Sequence, residues 1–205
     1  MSRATISSDR SAEAEIVNLL PFDGEAYLFQ EALPPNVADH AYAELLESID
    51  WRQEYVQLFG RRLPAPRLTA WYGAHGYSYS GIHHKPAALT PLLAELTSAM
   101  EDLAGSSFNS VLVNLYRSGS DSMGWHSDDE SALGPEPAIA SLSLGAERLF
   151  HFRHREPRDK ITVSLKHGSC LLMRGPCQAC WQHQLPKTRR ASGKRINLTF
   201  RRIEA

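Results

Sequence analysis

Arg195-Ile196-Asn197-Leu198-Thr199-Phe200-Arg201 alternates polar and apolar side chains along its whole length. A period of two predicts a β-strand, because successive side chains leave a strand on opposite faces. The polar face would carry Arg195, Asn197, Thr199 and Arg201. An unpaired buried charge is costly, so this face needs an anionic partner. The stretch therefore predicts a half-buried strand beside an anion site, and a dicarboxylate that also chelates iron would suit that site.

Other short segments of the second half of the chain also have the lengths and Gly-bearing turns of strands. They are residues 111–116, 139–145, 148–153, 161–165, 169–173 and 181–185. Two helices are predicted before them, one from about Val37 to Ser48 capped by Asn36, and one after Thr90-Pro91. Short strands that follow two helices point to a sandwich or jelly roll, with the helices buttressing one sheet.

Composition favours one soluble globular domain. The chain has 205 residues, 42% of them hydrophobic and 22% charged. We expect a flexible leader over residues 1–15 and a single domain over 16–205. No apolar run is long enough for a membrane span, and three cysteines without a disulfide pattern fit an intracellular, reducing compartment. The Cys177-x-x-Cys180 pair lacks a second pair to complete a zinc site, so buried or incidental thiols are the better interpretation.

A net charge of −1 gives no overall basic signature, so nucleic-acid contacts would depend on local patches. Arg61, Arg62 and Arg67 form one such cluster, and residues 187–194 form another. Charge alone favours solvated loops for both.

The segment Trp125-His126-Ser127-Asp128-Asp129-Glu130 contains an H-x-D pair. In an extended segment, side chains two residues apart leave on the same side, so His126 and Asp128 can converge on one point. With one distant histidine they would form the 2-His-1-carboxylate triad that holds non-haem Fe(II). A tetrahedral zinc hydrolase site would use the same ligands. The arginine strand argues against zinc, because such a hydrolase needs no carboxylate clamp.

The H-x-D pair and the terminal R-x-N-x-T-F-R, with His183 between them, resemble the AlkB family of Fe(II)/2-oxoglutarate dioxygenases, which demethylate alkylated nucleic-acid bases. The resemblance covers roughly the last two thirds of the chain and includes residues 66–73, 114–116 and 139–145. It implies a double-stranded β-helix (jelly roll), a mainly β fold of the α+β kind. It also implies that residues 50–85 contribute a nucleotide-recognition region.

The same resemblance implies the site residues. The metal and catalytic ligands would be His126, Asp128 and His183. For 2-oxoglutarate, Arg195 would pair with the distal carboxylate, supported by Asn114 and Tyr116. Arg201 and Asn197 would hold the carboxylate nearest the metal, and Thr199 would line the same face.

On the substrate side, the resemblance implies a flipped base with His126 stacked on one face. The opposite face and its surroundings would come from Trp71, Tyr77, Tyr79 and Ser80, although Gly81 stands where some relatives carry phenylalanine. Glu130 would accept a hydrogen bond from the exocyclic amine of adenine or cytosine, and Asp129 would contact neighbouring residues. Alternatively, Asp129 and Glu130 form a solvated acidic loop.

Phe59, with Gly60 and Arg61, resembles a finger whose aromatic ring fills the gap left by the flipped base. The alternative is that Phe59 packs beneath a hairpin.

The function predicted is oxidative demethylation of 1-methyladenine and 3-methylcytosine in DNA, with RNA as a second candidate substrate. The reaction would consume Fe(II)-bound 2-oxoglutarate and O2 and release formaldehyde, succinate and CO2. We expect an intracellular, cytoplasmic monomer. Two alternatives remain: a 2-oxoglutarate hydroxylase or demethylase of a protein or small molecule, and a catalytically silent nucleic-acid-binding module on the same fold.

Overall fold

The computed structural model describes residues 17–58, 60–73, 77–79, 82–84, 87–156, 159–189 and 193–204. The leader predicted for residues 1–15 lies outside these ranges. None of the helices in the described ranges has the length and apolar character that a membrane crossing requires.

The helices and strands alternate irregularly along the chain. The helices are α1 (Pro35–Ser48), α2 (Pro91–Ala104) and α3 (Cys177–Cys180). The strands are β1 (Glu25–Phe29), β2 (Arg52–Leu58), β3 (Arg61–Gly73), β4 (Tyr77–Tyr79), β5 (Ile82–His84), β6 (Ser110–Tyr116), β7 (Met123–His126), β8 (Ile139–Gly145), β9 (Arg148–His154), β10 (Lys160–Leu165), β11 (Ser169–Arg174), β12 (Trp181–Leu185) and β13 (Arg195–Arg201).

The strands form two main antiparallel sheets. The larger has the order β1-β11-β8-β13-β6-β3-β2, and the smaller has the order β10-β9-β12-β7. A separate hairpin joins β4 to β5. Because β13 pairs with β6 on one side and β8 on the other, the strand with alternating polarity lies in the middle of the larger sheet. This two-sheet arrangement confirms the predicted jelly roll.

The two long helices cover the outer face of the larger sheet. The side chains of Leu45, Leu93 and Met100 are fully buried, in the same apolar cluster as Ile196, Leu198 and Phe200 of β13. Helix α2 begins as predicted, because Thr90 Oγ1 accepts a hydrogen bond from the Leu93 amide at 3.2 Å. The predicted cap of α1 is wrong: Pro34 occupies that position, and Asn36 lies inside the helix. Proline presets the dihedral angle of a first helical turn, so the helix starts earlier than the asparagine suggests.

The opposite face of β13 points between the sheets. Its polar residues are buried like its apolar ones, so the expectation of a half-buried strand is wrong. The reason is that the smaller sheet closes over this face, where a second apolar cluster includes Phe152, Leu165 and Trp181. Between the sheets the polar face of β13 borders a cavity rather than bulk solvent.

Candidate active site

The three predicted metal ligands meet at one edge of the cavity. His126 ends β7, His183 lies opposite it on β12, and Asp128 follows two residues after β7 ends. Their ligand atoms all lie within 4.8 Å of one another, and His126 Nε2 is 4.0 Å from Asp128 Oδ1. The fold therefore brings His126 and Asp128 of the H-x-D pair together with His183, the second histidine that the family resemblance implied.

Residues outside the triad hold the ligands in position. His126 Nδ1 lies 2.8 Å from the carbonyl oxygen of Gly124, so this nitrogen carries the proton and Nε2 keeps its lone pair for a metal. The Asp128 amide donates to Gln178 Oε1 at 2.9 Å, and Ser127 Oγ donates to the Trp181 carbonyl at 3.0 Å. Gln178 was not predicted, because only the fold brings α3 beneath the H-x-D segment.

The protonation states also suit a metal. Burial lowers the pKa of His126 and lowers that of His183 to about 3, so both rings are neutral at pH 7. Burial alone would raise the pKa of Asp128, but the charge and hydrogen bond of Arg201, together with the two neighbouring imidazoles, outweigh burial and bring the pKa to about 2. Two neutral imidazoles and one carboxylate form the donor set of a facial triad for Fe(II). The residues present therefore fit the metal that the sequence predicted.

Arg201 lies against a metal ligand. Its Nη2 donates to Asp128 Oδ1 at 2.7 Å, and both side chains are almost fully buried. This ion pair puts Arg201 at the metal end of the cavity, the end where the sequence predicted a carboxylate-binding role for it. It also orients the Asp128 carboxylate.

Arg195 lies farther along the same face of β13. Its Nη2 donates to Ser143 Oγ at 2.9 Å, and its guanidinium carbon is 5.4 Å from the centre of the Tyr116 ring. Among the described residues, its buried Nε has no hydrogen-bond partner, and no salt bridge to Arg195 is found. Burial lowers the pKa of Arg195 to about 10, so the group stays cationic at neutral pH. It is a buried cation suited to a carboxylate.

Amide and hydroxyl groups lie between the two arginines. Asn197 Nδ2 donates to Ser141 Oγ at 2.9 Å, and its Oδ1 accepts from Thr199 Oγ1 at 3.1 Å. On the neighbouring strand, Asn114 Oδ1 accepts from Arg67 Nε at 2.9 Å. The predicted 2-oxoglutarate residues all line the cavity and share one wall of it. They are Asn114, Tyr116, Arg195, Asn197, Thr199 and Arg201.

Arg67 and Arg148 are buried cations whose roles the sequence did not reveal. The solvated-loop interpretation is wrong for Arg67, because β3 directs this side chain into the cavity, where it is only 6% exposed. Arg148 donates to the carbonyls of Asp121 at 3.0 Å and Pro186 at 2.6 Å, which ties together two loops beside Tyr116. No local pattern distinguishes either one, because Arg67 shares β3 with Arg61 and Arg62, and Arg148 shares β9 with Arg153.

The predicted substrate residues are less completely described. Trp71 is buried with Leu112 and Leu133, so a base could stack on it only if these side chains moved. Asp129 is exposed and accepts from Arg155 at 3.1 Å, as expected of a contact with neighbouring residues, while Glu130 is partly buried. Gly60 has φ 73° in the turn where Leu58 pairs with Arg61. Phe59, Ser80 and Gly81 lie outside the described residues, as do the side chains of Tyr77 and Tyr79.

A second group of possible metal ligands contains Asp23, His154 and Cys180, again within 4.8 Å of one another. His154 Nδ1 accepts a hydrogen bond from the Glu156 amide at 3.0 Å, so a neutral ring carries its proton on Nε2. That nitrogen faces Asp23 Oδ2 at 3.3 Å. A protonated nitrogen cannot ligate a metal, so we interpret the group as a structural link. Cys177 and Cys170 are buried, as predicted.

Comparisons with known proteins agree with this geometry. The family model of the 2OG-Fe(II) oxygenase superfamily matches residues 25–201. Alpha-ketoglutarate-dependent dioxygenase alkB homolog 3 of Bos taurus is 42% identical over 176 residues, covering 81% of this chain and 62% of the relative. The chain thus spans less than two thirds of that relative. DNA oxidative demethylase ALKBH2 of Mus musculus is 38% identical over 179 residues, covering 81% of this chain and 75% of the relative. The structure of OsALKBH1 has a TM-score of 0.64 at 16% identity, over 86% of this chain and 96% of that one, which supports the fold alone.

Proposed function

The chain belongs to the 2OG-Fe(II) oxygenase superfamily and, within it, to the AlkB family, and from this premise we propose that it demethylates N-alkylated bases in nucleic acid by oxidation. The substrates proposed are 1-methyladenine and 3-methylcytosine in DNA, with RNA as a second polymer. The observation that carries the proposal is one cavity that joins a 2-His-1-carboxylate cluster to a buried arginine.

Different side chains of the protein bind the metal at one end of the cavity and the distal carboxylate of 2-oxoglutarate at the other. His126, Asp128 and His183 would hold Fe(II). The bound iron, with 2-oxoglutarate and O2, supplies the oxidation of the N-methyl group to a hydroxymethyl group, which leaves as formaldehyde while succinate and CO2 form. Arg195 would bind the distal carboxylate of 2-oxoglutarate, because its guanidinium is a buried cation that lines the cavity beside the Tyr116 ring.

At the metal end, Arg201 and Asn197 are proposed to bind the nearer carboxylate of 2-oxoglutarate. Arg201 already donates one hydrogen bond to Asp128, so it would contact both this metal ligand and the carboxylate of 2-oxoglutarate. The Thr199 hydroxyl donates to Asn197 Oδ1, and Asn197 Nδ2 donates to Ser141 Oγ, so the Asn197 amide is held in one orientation. The clamp is therefore preorganised by hydrogen bonds between neighbouring strands.

On the substrate side, the base is proposed to stack on the His126 ring, and its exocyclic amine is proposed to donate to Glu130. Tyr77 or Tyr79 would cover the other face. The His126 ring is 21% exposed, whereas His183 is buried, so His126 is the ligand that a base can reach.

The test is an assay with anaerobically added Fe(II) on matched methylated oligonucleotides, which measures formaldehyde and succinate across strand type and sugar. We expect the two products in equal amounts from the unaltered protein and none from His126→Ala. His40→Ala is the matched control, since His40 is exposed and pairs with Glu44 on the surface of α1. Circular dichroism would verify that both variants are folded.

Each alternative predicts a different result of this assay. Succinate without formaldehyde would exclude nucleic acid and favour a protein or small-molecule substrate. Tight oligonucleotide binding without succinate would instead favour the silent binding module.

The finger hypothesis for Phe59 has its own test. The Leu58–Arg61 pairing makes this part of the chain the end of the β2–β3 hairpin. An aromatic wedge at that end should matter only when the opposite strand must be held apart. Phe59→Ala should therefore lower activity on double-stranded more than on single-stranded oligonucleotides, and equal losses would exclude the wedge.

A further inference from the structure

Arg67 is the cavity arginine that the proposed reaction leaves without a role. Its Nε donates to Asn114 Oδ1 at 2.9 Å, and its Nη1 lies 3.1 Å from Met123 Sδ, a weak acceptor. Among the described residues, Nη2 has no hydrogen-bond partner, and no salt bridge to Arg67 is found. A guanidinium facing a cavity with unused N–H groups is a hydrogen-bond donor available to a ligand.

The position of Arg67 relative to His126 indicates that its ligand is the substrate base. β3 carries Arg67 in the larger sheet, and its contact with Met123 reaches across to the first residue of β7. β7 ends at His126, about 10 Å away at the usual rise of a strand. Glu130 follows beyond that end. The donor and the acidic acceptor therefore lie toward opposite ends of the segment that presents the metal ligand.

Arg67 and His126 also line the same cavity, so the guanidinium and the ring on which the base would stack border one space.

The two methylated bases differ where such a donor would act. In 3-methylcytosine the methylated nitrogen lies between an amine and the C2 carbonyl oxygen. In 1-methyladenine it lies between an amine and a C–H group, which accepts no hydrogen bond. Glu130 would accept a hydrogen bond from the amine of either base, so it does not discriminate between them.

We propose that Arg67 is a specificity-determining residue that donates a hydrogen bond to the C2 carbonyl of the flipped base and so favours 3-methylcytosine over 1-methyladenine. This inference rests on the proposed function. Both methylated bases are cationic near neutral pH, so the charge of Arg67 opposes both alike. Only 3-methylcytosine can accept the hydrogen bond from Arg67. The ratio of the kcat/KM values for the two bases therefore isolates the contribution of this hydrogen bond.

The experiment compares kcat/KM on 3-methylcytosine and 1-methyladenine in otherwise identical single-stranded oligonucleotides. The unaltered protein should prefer 3-methylcytosine. Arg67→Met, which keeps length but has no donor, should lower the preference about tenfold, the effect expected from losing one hydrogen bond to a charged donor. Arg67→Lys should lower it less. Arg174→Met is the control, because Arg174 pairs with Glu25 and lies outside residues 50–85.

A second measurement keeps the test valid if the Arg67 variants are unstable. Replacing the C2 oxygen of 3-methylcytosine with sulfur, a weaker acceptor, should slow its demethylation by the unaltered protein several-fold. An undiminished rate would overturn the proposal. So would an original preference for 1-methyladenine.

The remaining outcomes distinguish Arg67 from its neighbours and from the proposed function itself. If Arg67→Met raises the KM for 2-oxoglutarate and slows both bases equally, Arg67 only positions Asn114 and the proposal is refuted. If the unaltered protein turns over 2-oxoglutarate but releases formaldehyde from neither oligonucleotide, it is the nucleic-acid function that has failed.

Discussion

Replacing Arg195 with methionine tests the carboxylate clamp most directly. The substitution keeps much of the side-chain volume between Ser143 and Tyr116 but removes the charge and every donor. The substitution should abolish 2-oxoglutarate binding without lowering the stability of the ligand-free protein.

The magnitude follows from the burial of the guanidinium. Burial lowers the pKa of Arg195 from 12.5 to about 10, which at about 1.4 kcal/mol per pKa unit disfavours the charged form by about 3 kcal/mol. The folded-state pKa lies below the ordinary value, so this cost is present throughout the neutral range. Methionine relieves the cost but loses the contact with the Tyr116 ring, about 1 to 2 kcal/mol. The free energy of unfolding without ligand should therefore stay the same or rise slightly.

Binding of 2-oxoglutarate should respond in the opposite direction. Removing one partner of a buried ion pair costs about 3 to 5 kcal/mol, so the KM for 2-oxoglutarate should rise at least 100-fold. Arg195→Lys keeps the charge but not the planar pair of donors and should give an intermediate KM. Arg174→Met is the control, because Arg174 pairs with Glu25 on the surface.

The assay measures succinate formation against 2-oxoglutarate concentration, together with the rise in Tm that saturating 2-oxoglutarate produces in each variant. Arg195→Met should show a high KM and almost no rise in Tm. An unchanged KM in a folded Arg195→Met protein would refute the assignment of Arg195 to the distal carboxylate.

Three further predictions concern the rest of the fold. Gly145→Ala should lower the free energy of unfolding in urea by about 3 kcal/mol, because φ is 88° and a Cβ would lie 2.5 Å from the Lys194 carbonyl oxygen. Gly105→Ala, at φ 61° with open space around it, should cost only about 1 kcal/mol, and equal losses would contradict this account. Burial raises the pKa of the Cys170 and Cys177 thiols to about 12, so iodoacetamide at pH 8 should modify the half-buried Cys180 first; mass spectrometry showing Cys170 labelled as fast would oppose this. Burial alone would raise the pKa of Asp121, but hydrogen bonds from Arg117 lower it overall, so Asp121→Asn should cost about 1 kcal/mol at pH 7. That stabilisation exists above the ordinary carboxyl value of 3.8 and disappears as the pH falls below it, so denaturation curves of variant and unaltered protein should converge in acid.

The elements that the sequence predicted best are those whose pattern is complete within the segment itself. β8 and β13 have the predicted bounds, because alternation and Gly-bearing turns define a strand without reference to its partners. β1 was not predicted. It lies at the edge of the larger sheet against β11, and a pairing across such a sequence separation leaves no local signal.

The same distinction applies to the site. The ligand trio follows from H-x-D spacing and the family resemblance, but the Asp128–Arg201 ion pair joins residues that only the fold brings together. Arg67 was misread for a related reason. Its neighbours Arg61 and Arg62 are exposed, and the strand turns its own side chain inward only because β3 pairs with β6. A cluster of arginines in the sequence indicates positive charge, but it does not show which side chains point into the protein.

The charges around the cavity lead to a last prediction, concerning how metal and cosubstrate bind together. Among the described lining residues, the guanidinium groups of Arg67, Arg195 and Arg201 face the single carboxylate of Asp128, which leaves two net positive charges. A divalent metal alone would add two more, whereas 2-oxoglutarate, a dianion, cancels that increase. Each should therefore strengthen the binding of the other, by the same factor in both directions. Titration of Mn(II), a redox-stable substitute for Fe(II), should give a Kd at least tenfold lower with saturating 2-oxoglutarate than without it. Arg195→Met should reduce this coupling, and equal Kd values in the unaltered protein would show that direct chelation and local charge do not link the two ligands.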